Sequence, residues 1–473
     1  MGSALGQRCY NVLVEPRAQT VATAVHREAV RMRTDTWTVE GGVPLRGEVR
    51  VSGAKNSITK LLVASMLTTE PCIFHNVPYI GDSQITRAIC EALGAECKEL
   101  PPRTLQVQTA QLRTSEVPLG LGTYNRLAIM MVAPLLHRTG QAVIPMAAGG
   151  DRIGPRPVNF HLEGYRHLGA SVEVREDAYC IKAEQLYGTE IVLPYPSVTT
   201  TENLLLAATV AKGRTFLRNA AVEPEIIDLV ICLQKMGAII DYNTDRTFVV
   251  EGVPALSGAT HDIMPDRIVA ASLACAAVAS GGDVFVRGAR QIDMVTFLNT
   301  LRRVGGQFAV APDGIRFYRE GPLKSIALET NVHPGFMTDW QPPLVLLLTQ
   351  AEGMSVVHET VFEDRFGYVA ELHKMGADMA LYDACLGGGP CRFHASNYRH
   401  SCVIKGPMRL RGAHITVPDL RAGFTYLIAA ILAEGPSTIE GIRHIERGYE
   451  NLEDSLRRLG VQIGKVPSLQ GTG

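Results

Sequence analysis

The chain contains no Cys-x-x-Cys pair, no long run of one charge sign, and no apolar stretch near the roughly 18 residues that a membrane helix needs. Each absence closes off a class. Without that pair, the ten cysteines at 9, 72, 90, 97, 180, 232, 275, 385, 391 and 402 make neither a zinc ribbon nor a thioredoxin-type redox centre. Scattered through apolar runs, they are expected to be buried thiols of a cytoplasmic protein, with no metal site. A net charge of -1, from 46 Lys+Arg against 47 Asp+Glu, excludes a nucleic-acid footprint over the whole surface, so any basic site must be local. The longest apolar segments, Leu127 to Leu136 and Ile268 to Ser280, are too short to cross a bilayer. Residues 1–36 have no apolar h-region and mix Glu15 and Glu28 among their arginines. They are expected to be a disordered or short amphipathic extension rather than a signal peptide, with Met32 as a second candidate start.

The composition that is present, 46% hydrophobic and 20% charged over 473 residues, describes a soluble globular protein of two or three domains. From Trp37 onward one unit recurs: a helical apolar pattern, a tripeptide centred on glycine, and an alternating strand. The copies are CEALGAECKEL, YRHLGASVEV, LQKMGAIIDY, LRRVGGQFAV, LHKMGADMAL and LRRLGVQIGK. Their glycines, Gly94, Gly169, Gly237, Gly305, Gly376 and Gly460, recur at roughly 70 residues, beyond the ~20–50 of common solenoids. Each stands where a helix end requires a left-handed residue. Alternation in the strands predicts sheets with one face on helices and one face outward. The pattern predicts an α+β protein of six similar units, three per domain.

Charged phrases fall at element ends: GAKNS at 53–57, the loop AAGGDRIGPRPVNF around Asp151, TDWQPP at 338–343, FEDRF at 362–366, PDLRAG at 418–423 and HIERGYE at 444–450. Their cations, with Arg126 from TYNRLAIMM, are Lys55, Arg126, Arg152, Arg156, Arg365, Arg421 and Arg447. Singly, each reads as a surface ion pair; together, in a neutral protein, they suggest a small polyanion held by bidentate forks. Asp339 reads either as a helix cap ahead of an apolar run or as a working carboxylate. Asp151 reads either as a neutralised loop residue or as a proton donor on a flap.

GEVRVSGAKNS, GGDRIGPRPVNFHLEG, SVTTTENLLLAA, AAVEPEIIDL, MTDWQPP, ETVFEDRF, PDLRAG and HIERGYENLEDSLRRLG, in this order from about Trp37 to Val466, resemble the UDP-N-acetylglucosamine 1-carboxyvinyltransferase family of enolpyruvyl transferases. The resemblance implies two inside-out α/β barrel domains of three βα units each, one formed by residues 37–54 with 264–473 and the other by residues 55–263. It implies transfer of enolpyruvate from phosphoenolpyruvate to a sugar hydroxyl through a tetrahedral ketal, without cofactor, metal or obligate protein partner. Lys55, Arg126, Arg156 and Arg447 would hold the phosphate, and Arg365 and Arg421 the carboxylate. Asp339 would take the acceptor's proton and Lys55 would assist the chemistry. Asn56, Arg156, Pro157, Val158, Asn159, Ser197, Val198, Thr199, Asp339 and Val361 would line the acceptor site, with His333 nearby.

The chain departs from the family at Asp151, where most members carry the cysteine that protonates phosphoenolpyruvate and is alkylated by fosfomycin. Aspartate keeps an acid and removes the thiolate, so fosfomycin resistance is expected. Ala147, Asn159, TYNRLAIMM and a long segment from Cys385 to Ser401 also differ, leaving a nucleotide such as UMP as an alternative acceptor. The lysine-aspartate-lysine and Gly-Asn-Ala-Gly phrases of the shikimate-pathway enzyme are absent. A non-catalytic paralogue is disfavoured because Lys55, Asp339 and Arg447 are all present.

Overall fold

Gly94, Gly169, Gly237, Gly305, Gly376 and Gly460 all have positive φ, between 87° and 122°. They end or follow the helices Gly81–Leu93, Asn159–His167, Pro224–Lys235, Val295–Val304, Val369–Lys374 and Leu452–Arg458, and a strand starts within a few residues of each. A side chain at these positions would meet the steric penalty of left-handed backbone, which explains why the repeat is most legible at its glycines. This computed structural model describes residues 36–123, 126–146 and 158–466, with the side chains of Arg421 and Val466 excepted. The N-terminal extension and the phrase holding Asp151, Arg152, Arg156 and Pro157 lie outside the described residues.

The unit is clearest in residues 190–251. Strand Glu190–Val192 runs parallel to Arg214–Arg218, helix Val198–Ala208 crosses between them, helix Pro224–Lys235 follows, and the hairpin Ile239–Tyr242 and Phe248–Glu251 completes the sheet. The same order, a short parallel strand, a central strand and an antiparallel hairpin, recurs in sheets built on Cys72–His75, Asp283–Arg287, Ala351–His358 and Pro436–Glu440. In the sheet on Gln141–Pro145 the parallel strand is reduced to a single bridge between Glu116 and Val143. In two units the chain is circularised: Thr260–Asp262 returns to pair with Cys72–His75, and the first strand, Thr36–Glu40, lies between Pro436–Glu440 and Gln462–Val466.

Helices occupy the inside. Arg267–Ala279 is buried at every position but Val269, and all eight residues of Gln341–Leu348 are buried. Both pack on each other and on Leu420–Leu432. Such all-round apolar helices lack an outward polar face, so only the centre of a domain accommodates them. The sheets wrap them with alternating burial, as in Asp283–Arg287, and present their other face to solvent. Two hydrophobic cores result. One draws on Trp37 to Val51 and Ala270 to Ile463, the other on Ile58 to Ile263.

The chain passes between the cores twice, side by side. Gly53 bridges Pro265, the Ala54 amide donates to the Met264 carbonyl at 2.7 Å, and the Asp266 amide to the Ser52 carbonyl at 2.9 Å. Asp266 caps a helix on each side of this crossing. Its Oδ1 accepts from the amides of Ile268 and Val269 at 2.9 and 3.0 Å, and its Oδ2 from the Lys55 amide at 3.1 Å.

One expectation needs correction. Most described cysteines are buried, but Cys97, Cys385 and Cys391 are only partly so. The last two sit on a long connection rather than in an apolar element, and sequence context alone placed them wrongly. Among the described residues no helix is long and apolar enough to cross a membrane.

Candidate active site

Lys55 and Asn56 open helix Lys55–Ser65 immediately after the crossing, so the polypeptide itself delivers them to the boundary between the cores. Lys55 Nζ lies 2.8 Å from Oδ2 of Asp82, in the first turn of Gly81–Leu93. Across the boundary, Arg447 directs Nε and Nη2 to Asp82 Oδ1, each at 3.2 Å. A lysine and an arginine thus share a carboxylate that is 4% exposed. Close approach sets this geometry. A Cβ on Gly81 would stand 3.2 Å from the Arg447 Cα, and one on Gly448 would stand 3.3 Å from Lys55 Cδ and 2.7 Å from Leu420. Leu420, the first residue of helix Leu420–Leu432, therefore packs beside Gly448. Sequence reasoning found the cations but missed Asp82, which resembles any acid in a first helical turn.

Asp339 is not a helix cap: those positions fall to Met337 and Trp340. Its Oδ1 instead accepts from Arg365 Nη2 at 2.8 Å, and the same nitrogen reaches the Thr338 carbonyl at 3.3 Å. The Arg365 side chain is 1% exposed and Asp339 18%, so the arginine is a buried prop and the carboxylate is the more accessible partner. Below them lies Glu359, fully buried, accepting from Thr338 Oγ1 at 3.1 Å and from the amides of Val361 and Phe362 at 2.9 and 3.1 Å. Burial raises its pKa above the ordinary carboxylate value, against the pull of Arg365.

A third cluster supports the predicted acceptor residues. Ser197 is the N-cap of helix Val198–Ala208, with Val198 and Thr199 partly exposed at its start. His161 stands behind Thr199, its Nε2 3.4 Å from Thr199 Oγ1. Asn203 donates to His161 Nδ1 at 3.0 Å and to the Ile129 carbonyl at 3.1 Å, and receives the Tyr165 hydroxyl at 2.8 Å. Burial depresses the His161 pKa to about 4, so the ring is neutral, with Nδ1 accepting and Nε2–H directed at Thr199. The network joins the turn Ser197 to Thr199 to the 3-10 helix Arg126–Met131 that presents Arg126, and Val158 and Asn159 open the helix carrying His161. Lys60 similarly braces Asn56, donating to its carbonyl at 3.0 Å, with buried Glu202 3.4 Å away. His161, Asn203, Lys60 and Glu202 read from sequence only as helix residues, because no local pattern separates an inward polar group from an outward one.

Further contacts close the boundary. Arg267 and Glu225 pair in two parallel bonds of 3.0 and 2.9 Å, both side chains nearly fully buried, with the guanidinium 5.1 Å from the centre of the Trp340 ring beside Asp339. Arg246 donates to the carbonyl of His333, and Arg103 pairs with Glu450 at 2.8 Å. Arg392, on the long segment from Cys385 to Ser401, lies 4.7 Å over the Tyr195 ring of the other domain and donates to the Val361 carbonyl and to Glu363. Of the expected site residues, Lys55 and Arg447 meet at Asp82, Asp339 and Arg365 pair, and Asn56, Val361 and Ser197 to Thr199 line the same boundary. Asp151, Arg156 and Pro157 lie outside the described residues, as does the Arg421 side chain.

Residues 39–456 match the family described as EPSP synthase (3-phosphoshikimate 1-carboxyvinyltransferase). UDP-N-acetylglucosamine 1-carboxyvinyltransferase of Protochlamydia amoebophila is 49% identical over 439 residues, covering 91% of this chain and 94% of that one. The enzyme of the same name from Chlamydia muridarum is 47% identical, covering 90% and 97%. Among solved structures, the enolpyruvyl transferase NikO from Streptomyces tendae superposes with a TM-score of 0.82 at 23% identity, over 92% of this chain and all of that one.

Proposed function

The chain belongs to the EPSP synthase family, and on that premise we propose that it transfers the enolpyruvyl group of phosphoenolpyruvate to the 3'-hydroxyl of UDP-N-acetylglucosamine, releasing phosphate. The observation that carries this reading is the convergence of Lys55 and Arg447, from the two sides of the boundary, on one buried carboxylate, in a chain about half identical to enzymes of that name. A doubly charged phosphate is a better partner for those cations than a single carboxylate. The likeness to NikO, at 23% identity, supports the fold and does not favour a nucleotide acceptor.

In this reading Asp339 takes the proton of the acceptor hydroxyl as that oxygen attacks C2 of phosphoenolpyruvate, while Arg365 holds the carboxylate in place. Asp151 gives a proton to the methylene carbon C3, forming the tetrahedral ketal. Loss of phosphate from C2 and of a proton from C3 restores the double bond, with the sugar oxygen retained. Lys55, Arg126, Arg156 and Arg447 neutralise the phosphate and Arg421 the carboxylate of phosphoenolpyruvate, whereas Arg365, expected from the sequence to share that role, is buried and acts through Asp339. Asn56, Pro157, Val158, Asn159, Ser197, Val198, Thr199 and Val361 form the acceptor wall. Residues 37–54 with 264–473 and residues 55–263 are the two closing domains, in a cytoplasmic enzyme.

Phosphate release from phosphoenolpyruvate is expected with UDP-N-acetylglucosamine and to be at least about 100-fold slower, in kcat/KM, with UMP, the range over which missing buried polar contacts discriminate substrates. Equal or faster turnover of UMP would overturn the acceptor; turnover of neither would overturn the reading. A second outcome follows from Asp151. Fosfomycin is expected to leave the activity unchanged on prolonged incubation, whereas Asp151→Cys restores a thiol and brings time-dependent loss. Mass spectrometry showing the drug attached to the parent enzyme would refute this.

A further inference from the structure

The segment from Cys385 to Ser401 is not absorbed by the proposed reaction, and it carries its own constellation. Cys385, Cys391 and His400 on this segment, with His358 at the end of strand Ala351–His358, place one sulfur or nitrogen atom each within 4.8 Å of all the others. The geometry points to a structural zinc site of two thiolates and two imidazoles formed by His358, Cys385, Cys391 and His400.

The orientation of the two rings is the first support. His358 and His400 are fully buried, with ring centres 5.0 Å apart. His400 Nδ1 lies 2.6 Å from the Tyr398 carbonyl, which only accepts, so the proton is on Nδ1 and the Nε2 lone pair is left facing Cys385 Sγ at 3.3 Å. His358 Nδ1 lies 2.8 Å from Ser401 Oγ; that hydroxyl donates to the Ala384 carbonyl at 2.7 Å, so it accepts from the ring. His358 Nε2 is consequently an acceptor too, and it makes no hydrogen bond among the described residues. A buried ring nitrogen with no partner loses its hydration without compensation, and a metal removes the deficit. Tying Nδ1–H to an oxygen while Nε2 binds the ion is the usual outer arrangement of a zinc histidine.

Sulfur chemistry and local backbone agree. A tetrahedral ion with Zn–S near 2.3 Å and Zn–N near 2.0 Å spaces its ligand atoms by roughly 3.3–3.8 Å, close to the Cys385–His400 separation. The Phe393 amide donates to Cys391 Sγ at 3.3 Å, which fixes the position of that sulfur. Gly387 permits the approach: a Cβ there would stand 2.5 Å from His358 Cδ2. Two thiols and two neutral imidazoles binding one zinc dication release two protons and leave a neutral centre, which suits a buried site. Soft sulfur with imidazole in tetrahedral array selects zinc over magnesium or calcium. The ion would staple the segment to the strand that leads into Glu359 and Val361, and so fix Arg392 against Tyr195.

The full-length protein, expressed with zinc in the medium and purified under reductant without chelator, is expected to hold about one zinc per chain by elemental analysis. Exchange with cobalt is expected to give the intense visible bands of a tetrahedral ion and a thiolate-to-cobalt charge-transfer band. Cys391→Ser should lower zinc retention at least about tenfold, and Cys97→Ser should leave it unchanged. Metal-free protein without the cobalt spectrum, equal retention by Cys391→Ser, or a Cys385–Cys391 disulfide persisting under reductant would each overturn the site.

Discussion

Asp339→Asn is expected to leave the protein folded and able to bind both substrates while lowering kcat by about 10²–10⁴-fold, the usual contribution of a positioned proton acceptor. Asparagine keeps the shape and one oxygen, so Arg365 Nη2 retains an acceptor there and another at the Thr338 carbonyl. What is lost is the negative charge, and with it the group that takes the hydroxyl proton. Single-turnover rates read the chemical step, and calorimetric titration with the acceptor reads binding. A kcat within threefold of the parent would remove Asp339 from the reaction. Loss of folding, seen by circular dichroism, would instead make it a structural partner of Arg365.

Arg267→Ala is expected to cost roughly 3–5 kcal/mol of stability, because it strands Glu225 without its partner in a nearly water-free boundary. Part of the cost is the lost contact of the guanidinium with the Trp340 ring. The double change Arg267→Leu with Glu225→Leu should recover most of it, since replacing both members of a buried pair is far less costly than removing one. The pH dependence follows from the carboxylate. Against the opposing effect of burial, Arg267 holds the Glu225 pKa below its ordinary value. In the parent that contribution is present above the unfolded carboxylate pKa of about 4.3 and is lost as the pH falls through the depressed value. In Arg267→Ala burial is opposed only by the backbone hydrogen bond and the Lys60 charge, so the pKa rises and the deficit shrinks as the pH is lowered from 8 towards 5. Urea unfolding at several pH values measures both. A pH-independent deficit, or one below about 1 kcal/mol, would contradict the account.

How much of this was legible depended on whether the signal was local. The six glycines announce themselves because left-handed backbone excludes most side chains. Lys55, Arg365 and Arg447 could be selected because each sits at an element end within a distinctive phrase. Asp82, Glu225 and Arg392 could not: their roles come from partners 365, 42 and nearly 200 positions away, brought together only when the two cores meet. The cysteines and histidines of the long segment escaped for a related reason. A search for closely spaced pairs finds ligands on one turn, whereas here one ligand comes from a strand and three from the segment that leaves and rejoins the sheet.

Finally, the first strand, Thr36–Glu40, takes both its neighbours from residues 436–466. On the ribosome it emerges nearly four hundred residues before either neighbour exists. The intervening core of Ile58 to Ile263 draws on no later part of the chain, so it can consolidate while the earlier strand waits. The order of manufacture is thus the reverse of the order of reading: what is translated first is completed last.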